Sequence, residues 1–461
     1  MTEGKTDQVP VTRTLRRGET SSTLGRIRKA AQEDKALRFT NLLHHITTDL
    51  LRESYLSLKR KAAPGVDEVS WKDYGKRLEK RLADLHERLQ KGRYRAKPSK
   101  RIWLPKPDGR QRPIGIAATE DKILQHAMSR VLNQIYEEDF ANFSYGFRPG
   151  RKPHDALDAL WVAITQRKVS WVLDADISGF FDNINHDWLM KFAEHRIADQ
   201  RVLRVLRKWL RAGVSEDGEW SKTIVGTPQG AVISPLLGNI YLHYVLDLWV
   251  KFWRKSQARG EVIIVRYADD FVVGFQHRSD AERFLQELQG RFAKFGLALN
   301  QDKTHLIEFG RFAASNRARR NQSKPETFDF LGFTHICTKT RKSGRFTVGR
   351  KSNSKKVRAK VKAIKEALLK RRHEPVPQQG KWLRSVIQGH FNYYAVPGNT
   401  YALGEFRTQV IRAWYRALRR RSHKARRLNW PRMKRLIATW IIPVKVLHEY
   451  PNQRLVVTHP R

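Results

Sequence analysis

The apolar positions change period several times along this chain, and each change marks an element. From Leu37 the segment LRFTNLLHHITTDLLRESYLSLKRK sets Leu42, Leu43, Ile46, Leu50 and Leu51 on one face, which predicts an amphipathic helix. Ala63 to Asp67 is a turn, and a second helix is predicted over 71–90 with Leu78, Leu82, Leu85 and Leu89 in register. The period then drops. RIWLPKPDGRQRPIGI, residues 101–116, predicts a hairpin closed by Pro107-Asp108-Gly109, followed by helical sequence from Glu120 to Tyr136. WVLDAD, 171–176, is a strand ending on Asp176, after which Ser178-Gly179 turns the chain into Phe180 and Phe181.

A helix opens at Asn185 or His186, and Gly226-Thr227-Pro228-Gln229-Gly230 breaks the chain before the apolar helix AVISPLLGNIYLHYVLDLWV. VIIVRYADDFVVGF, 262–275, flanks Tyr267-Ala268-Asp269-Asp270 with two short β-branched runs, a hairpin that presents two adjacent carboxylates at or beside its turn. Asp280 to Phe295 is an amphipathic helix, and FDFLGF, 328–333, is an aromatic strand with a Gly bend. Four helical segments close the chain: 355–372, 381–394, 403–421, and one opened by Pro431 after Asn429-Trp430. Residues 1–36 are polar and lack a period, which predicts a flexible basic arm.

Charge narrows the class. Ninety Lys and Arg against 45 acidic residues give +45, a surplus that calls for a polyanion. Residues 341–461 hold 31 Lys and Arg and only Glu366, Glu374, Glu405 and Glu449, so a separate basic domain starts there. Its rings, Trp382, Phe391, Tyr393, Tyr394, Trp414 and Tyr415, belong mainly to a core rather than to RNA stacking. A single cysteine, Cys337, excludes a disulfide framework and a paired-cysteine zinc site. With no membrane span and no apolar leader in the sequence, the expectation is a cytoplasmic protein of a bacterium.

The candidate chemistry is acidic on one side and basic on the other. Neighbouring buried anions need a counter-cation, and none lies inside the Asp269-Asp270 loop. Asp174 and Asp176 alternate to the same face of their strand, so spacing alone does not choose between them. A strand-end aspartate with Asp269-Asp270 makes three carboxylates, the hard oxygen set for two Mg²⁺ ions in phosphoryl transfer, with Mn²⁺ as a substitute. Lys106 and Arg112, on the two arms of the first hairpin, suit a nucleoside triphosphate. Gln229 offers donor and acceptor to a base or sugar edge, Arg148 and Arg151 suit backbone phosphates, and Arg412, Arg416, Arg419 and Arg420 share one helical side for RNA.

The motifs and their order resemble a bacterial group II intron-encoded reverse transcriptase and maturase from about Leu37 onward. YADD at 267–270, DADISGFFDNINHD at 174–187, SYGFRPGR at 144–151, GTPQGAVISPLL at 226–237, FLGF at 330–333 and GHFNYY at 389–394 carry the resemblance. It implies an α+β right-hand polymerase, with fingers and palm over 37–340, thumb over about 341–375 and maturase domain over about 376–461. It implies Asp176 rather than Asp174 as the first metal ligand, because the aromatic gate against ribonucleotides falls five residues on, at Phe181. Asp269, Asp270 and the Ile177 carbonyl complete the metal set, Lys106 and Arg112 grip the triphosphate, Gln229 lines the nucleotide pocket, and Lys303 assists pyrophosphate departure.

The expected partners are a group II intron RNA, an RNA template with a DNA primer, target DNA and deoxynucleoside triphosphates. Cysteine-bearing endonuclease sequence of the kind many relatives carry is not expected. Two other readings share the motifs: an RNA-binding splicing factor on a scaffold polymerase fold, and a domesticated defence or diversity-generating reverse transcriptase. Intact carboxylates, Phe181 and the Lys106/Arg112 pair favour catalysis over the scaffold. The maturase-like C-terminal region disfavours the domesticated enzyme.

Overall fold

The computed structural model describes residues 12–105, 111–216, 219–221, 225–340 and 343–458, with side chains from residue 23 to residue 454 within those ranges. Among them the strands are, in chain order, β1 (Ser99–Pro105), β2 (Gln111–Ile116), β3 (Trp171–Asp176), β4 (Val214–Glu216), β5 (Glu219–Ser221) and β6 (Val262–Tyr267). The remaining strands are β7 (Asp270–Phe275), β8 (His305–Glu308), β9 (Phe328–Phe330), β10 (Phe333–Lys339) and β11 (Phe346–Ser352). They build three sheets, ordered β2-β1-β4-β5, β6-β7-β3-β8 and β11-β10-β9, antiparallel except where β1 meets β4. Helices account for most of the rest, so the α+β expectation holds. The chain divides into two compact units: one from residues up to 151, 177–257 and 286–300, the other from 152–176, 258–285 and 301 onward.

In the first unit the Thr119–Asp139 helix is amphipathic: Ile123, Leu124, Ala127, Met128, Val131, Leu132 and Ile135 recur on one face and are fully buried, while polar positions such as Arg130, Asn133 and Gln134 are part-buried on the other. The expected flexible arm is a helix over Thr12–Glu33: Leu24, Ile27 and Ala31 are buried at helical spacing, and Arg28 Nε donates to Glu138 at 2.6 Å. Residues 1–11 of that arm lie outside the described residues. Leu42, Leu43 and Ile46 are buried as the pattern predicts, but in an irregular turn, because the helix starts only at Thr48. The Thr47 hydroxyl sets that start by accepting from the Leu50 amide at 3.2 Å. The expected 71–90 helix divides into Trp71–Gly75 and Leu78–Gln90.

In the second unit the basic C-terminal region opens not with a helix but with β11. The expected boundary at 340/341 cuts the β10–β11 hairpin, which is paired from Phe333↔Ser352 to Lys339↔Phe346. The expected division at 375/376 crosses one core, in which Val361, Ile364 and Leu368 pack with Leu383, Ile387, Phe391, Phe406 and Trp414. Trp414 and Phe391 are buried there and Trp382, Tyr394 and Tyr415 partly so, as expected of core rings. Pro431 lies in the first turn of Trp430–Trp440, capped by Asn429, which accepts from the Arg432 amide at 3.1 Å. Among the described residues no helix is long and apolar enough to cross a membrane.

Candidate active site

In the second unit β3 and β7 are the two middle strands, and their apolar residues Val172, Leu173, Ala175, Phe271, Val272 and Val273 are fully buried. Their register ends on Asp176↔Asp270. The β6–β7 ladder ends on Tyr267↔Asp270, which leaves Ala268-Asp269 as a two-residue turn and places both acidic positions at the hairpin tip. Ala268 has φ +60, a left-handed conformation that hairpin turns normally give to Gly. The turn is held from below by Arg266, fully buried in β6, whose Nη1 donates to the Ala268 carbonyl at 3.0 Å. Nothing in the sequence VIIVRY marks that arginine as a buried residue.

The carboxylates crowd one another. Burial holds Asp270 well above the ordinary carboxylate range, and the charges of Asp174, Asp176 and Asp269 push it further, against a smaller opposing pull from Lys356. Asp174 is raised to about 7 by burial, then by Asp329 and Asp176. Asp176 accepts from Lys303 Nζ at 2.6 Å. Both strand aspartates therefore reach the cluster, but only Asp176 stands at the strand end; Asp174 lies deeper, opposite Val272 and His305. Asp329, from the FDFLGF strand, and Lys356, from the following helix, belong to the same electrostatic group. The sequence pattern gave no signal for either, because they join the cluster through sheet and helix packing.

Among the described residues no three or more His, Cys, Asp or Glu side chains are arranged to hold a metal ion by themselves. The donor set is nevertheless carboxylate oxygen, and its members repel. That fits a hard divalent cation, which takes one or two carboxylates and leaves its other positions to water and phosphate. Ile177, next in the chain after Asp176, is buried and bridges to Leu299 within the first unit.

Of the nucleotide-binding candidates, Arg112, Phe181 and Gln229 lie in the first unit, beside two glycine-containing segments. The Thr227 amide donates to the Phe181 carbonyl and the Gly226 amide to the Ile184 carbonyl, both at 2.8 Å, so the 226–230 loop is laid on the turn after β3. Gly226 has φ +90, and a Cβ there would sit 2.7 Å from the Asp182 carbonyl oxygen. Arg112 Nε donates to Gln229 Oε1 at 2.7 Å, and Gln229 Nε2 donates to Asp182 Oδ2 at 2.9 Å. The half-buried Phe181 ring lies against Gly238, where a Cβ would meet it at 3.1 Å. Asp182 and Gly238 are thus positioning residues that motif reading passed over. Lys106 and the turn at 107–109 lie outside the described residues.

Of the arginines expected to touch RNA, Arg148 does not fit. Its guanidinium is buried, and all five N–H groups are directed to the Glu137 carboxylate and carbonyl and to the Ala141 and Ser144 carbonyls. It braces the 144–151 turn. Arg151 is half-buried, donates to the Asn142 carbonyl at 2.6 Å and lies over the Tyr145 ring. Arg412, Arg416, Arg419 and Arg420 are all exposed, the first three on the Thr400–Arg419 helix and the last at its C-terminal end.

The chain is 35% identical to the protein YkfC of Escherichia coli over 332 residues, 64% of this chain and 87% of that protein. It is 34% identical to the group II intron-encoded protein LtrA of Lactococcus lactis over 249 residues, 52% of this chain but only 41% of LtrA. It is 41% identical over 146 residues to an uncharacterised 91 kDa protein in the cob intron of Schizosaccharomyces pombe, 32% of this chain and 18% of that one. Residues 104–335 match the reverse transcriptase (RNA-dependent DNA polymerase) family, the span that runs from β1 through the acidic hairpin to β10. A strand-end aspartate set against a two-aspartate hairpin tip is thus embedded in a matching sequence context, and the chain belongs to the reverse transcriptase family.

Proposed function

We propose that this RNA-directed DNA polymerase binds a group II intron RNA, supports its splicing, and copies it into DNA during retrohoming with target DNA, using deoxynucleoside triphosphates. The observation that carries the reading is the register Asp176↔Asp270 with Asp269 in the adjoining turn, three carboxylates at one strand end. Asp176, Asp269, Asp270 and the Ile177 carbonyl hold two Mg²⁺ ions in this reading. When bound, those ions polarise the α-phosphate and stabilise charge on the attacking and leaving oxygens.

The chain's own residues do the rest. Lys106 and Arg112 bind the triphosphate, and Gln229 keeps Arg112 in place through its side-chain oxygen. Phe181, backed by Gly238, excludes a 2′-hydroxyl. Lys303, which bonds Asp176, donates in this reading to departing pyrophosphate once the carboxylate is otherwise engaged. Arg151, Arg412, Arg416, Arg419 and Arg420 contact RNA phosphates. Support for the intron partner comes from the LtrA and cob-intron relatives.

Primer extension and splicing of an intron RNA, measured on the same preparations of the parent and Asp269→Asn at one salt concentration, test this reading. The variant should lose DNA synthesis and keep splicing support. Equal loss of both, with folding intact, refutes the division of labour and favours a carboxylate cluster that serves RNA docking on a scaffold fold.

A further inference from the structure

The Gln200–Arg211 helix, QRVLRVLRKWLR, buries Val202, Leu203, Val205, Leu206, Trp209 and Leu210 and leaves its cations outside the core. Arg201, Arg204, Lys208 and Arg211 recur at spacings of three, four and three, so they form a row along one side, about 15 Å long at the α-helical rise. Beside the row runs Lys91-Gly92-Arg93-Tyr94-Arg95, the segment that leaves the Leu78–Gln90 helix. Between the two is a cavity of about 140 Å³ lined by Lys91, Arg201, Arg204 and Lys208, with Gly92 and Tyr94 among its other walls and no carboxylate.

The cavity is built, not incidental. Lys208 Nζ is fixed by the Gly92 carbonyl at 3.1 Å and by the Tyr94 carbonyl. Gly92 has φ +71, and a Cβ on it would stand 3.6 Å from Arg204 Nη1. Among the described residues neither Arg95 nor Arg204 has a carboxylate partner. Lys208 is held below the usual lysine range, first by burial and then by the charges of Arg204 and Arg95, whereas Lys91 and Arg201 on the cavity wall are paired with Glu87 and Asp199. An ordinary solvated face pairs its charges, as Arg207 does with Glu194 at 2.6 Å on the same helix. Arg204, one turn away, has no such relief.

We propose that this cavity holds a backbone phosphate of RNA, and that the row from Arg201 to Arg211 is an RNA-docking surface of the first unit, separate from the arginines of the Thr400–Arg419 helix. A single small anion would need only the cavity. The row continuing beyond it to Arg211 suits a chain of phosphates. The inference rests on the reading of this protein as one that binds RNA.

The test is equilibrium binding of the full chain to a labelled RNA hairpin with single-stranded flanks across a salt series, for the parent, R95Q/R204Q and R95K/R204K. Neither arginine has a place in the catalytic cluster or a partner to lose, and thermal unfolding checks that the variants fold. We expect R95Q/R204Q to bind roughly tenfold more weakly at physiological salt, with the log–log salt slope smaller by about one to two units. R95K/R204K should keep the slope, and extension on a saturating primed homopolymer template should not change. Unchanged affinity and slope in folded R95Q/R204Q overturn the proposal. So does a loss seen with an acidic peptide but not with RNA, which would mark a protein-docking face. Flat salt dependence in the parent itself would instead bring down the RNA-binding reading on which the proposal stands.

Discussion

A cluster of carboxylates in the second unit and a row of cations in the first differ in depth. Asp174, Asp176, Asp269 and Asp270 crowd the end of a sheet whose middle strands are buried, and burial is the largest cause of the raised Asp270 and Asp174 carboxyls. Arg95, Arg201 and Arg204 are exposed at the surface of the first unit, where water and salt screen much of their repulsion. Like charges gathered inside a low-dielectric sheet are costly without a bound cation; like charges on a wet helix face cost little and wait for a polyanion. The acidic group should therefore act in chemistry and stability, the basic groups in affinity and salt dependence.

The largest expected effect comes from the acidic side. Asp269→Asn or Asp270→Asn keeps the size of the side chain but weakens a proposed metal ligand, and primer extension should fall by at least about a thousandfold. In EDTA, Asp270→Asn should also raise the denaturation midpoint, because it removes a charge that its neighbours repel. Arg204→Gln should leave stability within about 0.5 kcal/mol. A lowered midpoint for Asp270→Asn would break the contrast at its base.

Next is the basic face of the second unit. Replacing Arg412, Arg416, Arg419 and Arg420 together by Gln should reduce the slope of log affinity for RNA against log salt by roughly two to three units. Binding titrations at several salt concentrations measure it, and an unchanged slope would mean these exposed arginines do not meet phosphate.

A smaller effect concerns selectivity. Phe181→Ala should admit ribonucleotides in single-nucleotide incorporation, with about one to a few kcal/mol of discrimination lost. Gly238→Ala should disturb the same discrimination from behind, because its methyl meets the Phe181 ring at 3.1 Å. If Phe181→Ala still rejects ribonucleotides, the gate lies elsewhere.

The smallest effect is a pH dependence of stability. His335 is fully buried against Phe328, ring centroids 4.7 Å apart, and burial lowers it from 6.5 to about 3. Below 6.5 the unfolded chain takes up a proton that the folded chain refuses, so stability is full above 6.5 and falls as pH drops toward 3. His335→Leu should remove about 1.4 kcal/mol of the stability lost between neutral pH and pH 5.5, read by chemical denaturation at both. An identical acid loss in parent and variant would show that this ring does not set it.

The sequence determined the local frame of the site. Two short continuous β-branched runs around Ala268-Asp269 marked the β6–β7 hairpin, WVLDAD ended its strand on Asp176, and amphipathic periods placed the helices of the C-terminal region within a few residues of their observed starts. These are properties of short windows, where side-chain period decides which face is buried. Helices with sparse or mixed patterns were not legible: Thr12–Glu33 declares itself only through the few apolar residues it buries.

Only the tertiary structure decided which distant residues share a field. Asp174 and Asp329 meet because β9 and β3 come together, Lys356 reaches Asp270 from a helix that starts 84 residues later in the chain (Ser354 against Asp270), and Arg266 turns inward to hold a strained alanine. Arg148 looks like a phosphate contact in its motif and becomes a buried brace once Glu137 and three backbone carbonyls surround it. Charge and hydrogen bonding act through space at a few ångströms, whatever the separation in sequence, and periodicity carries no record of them.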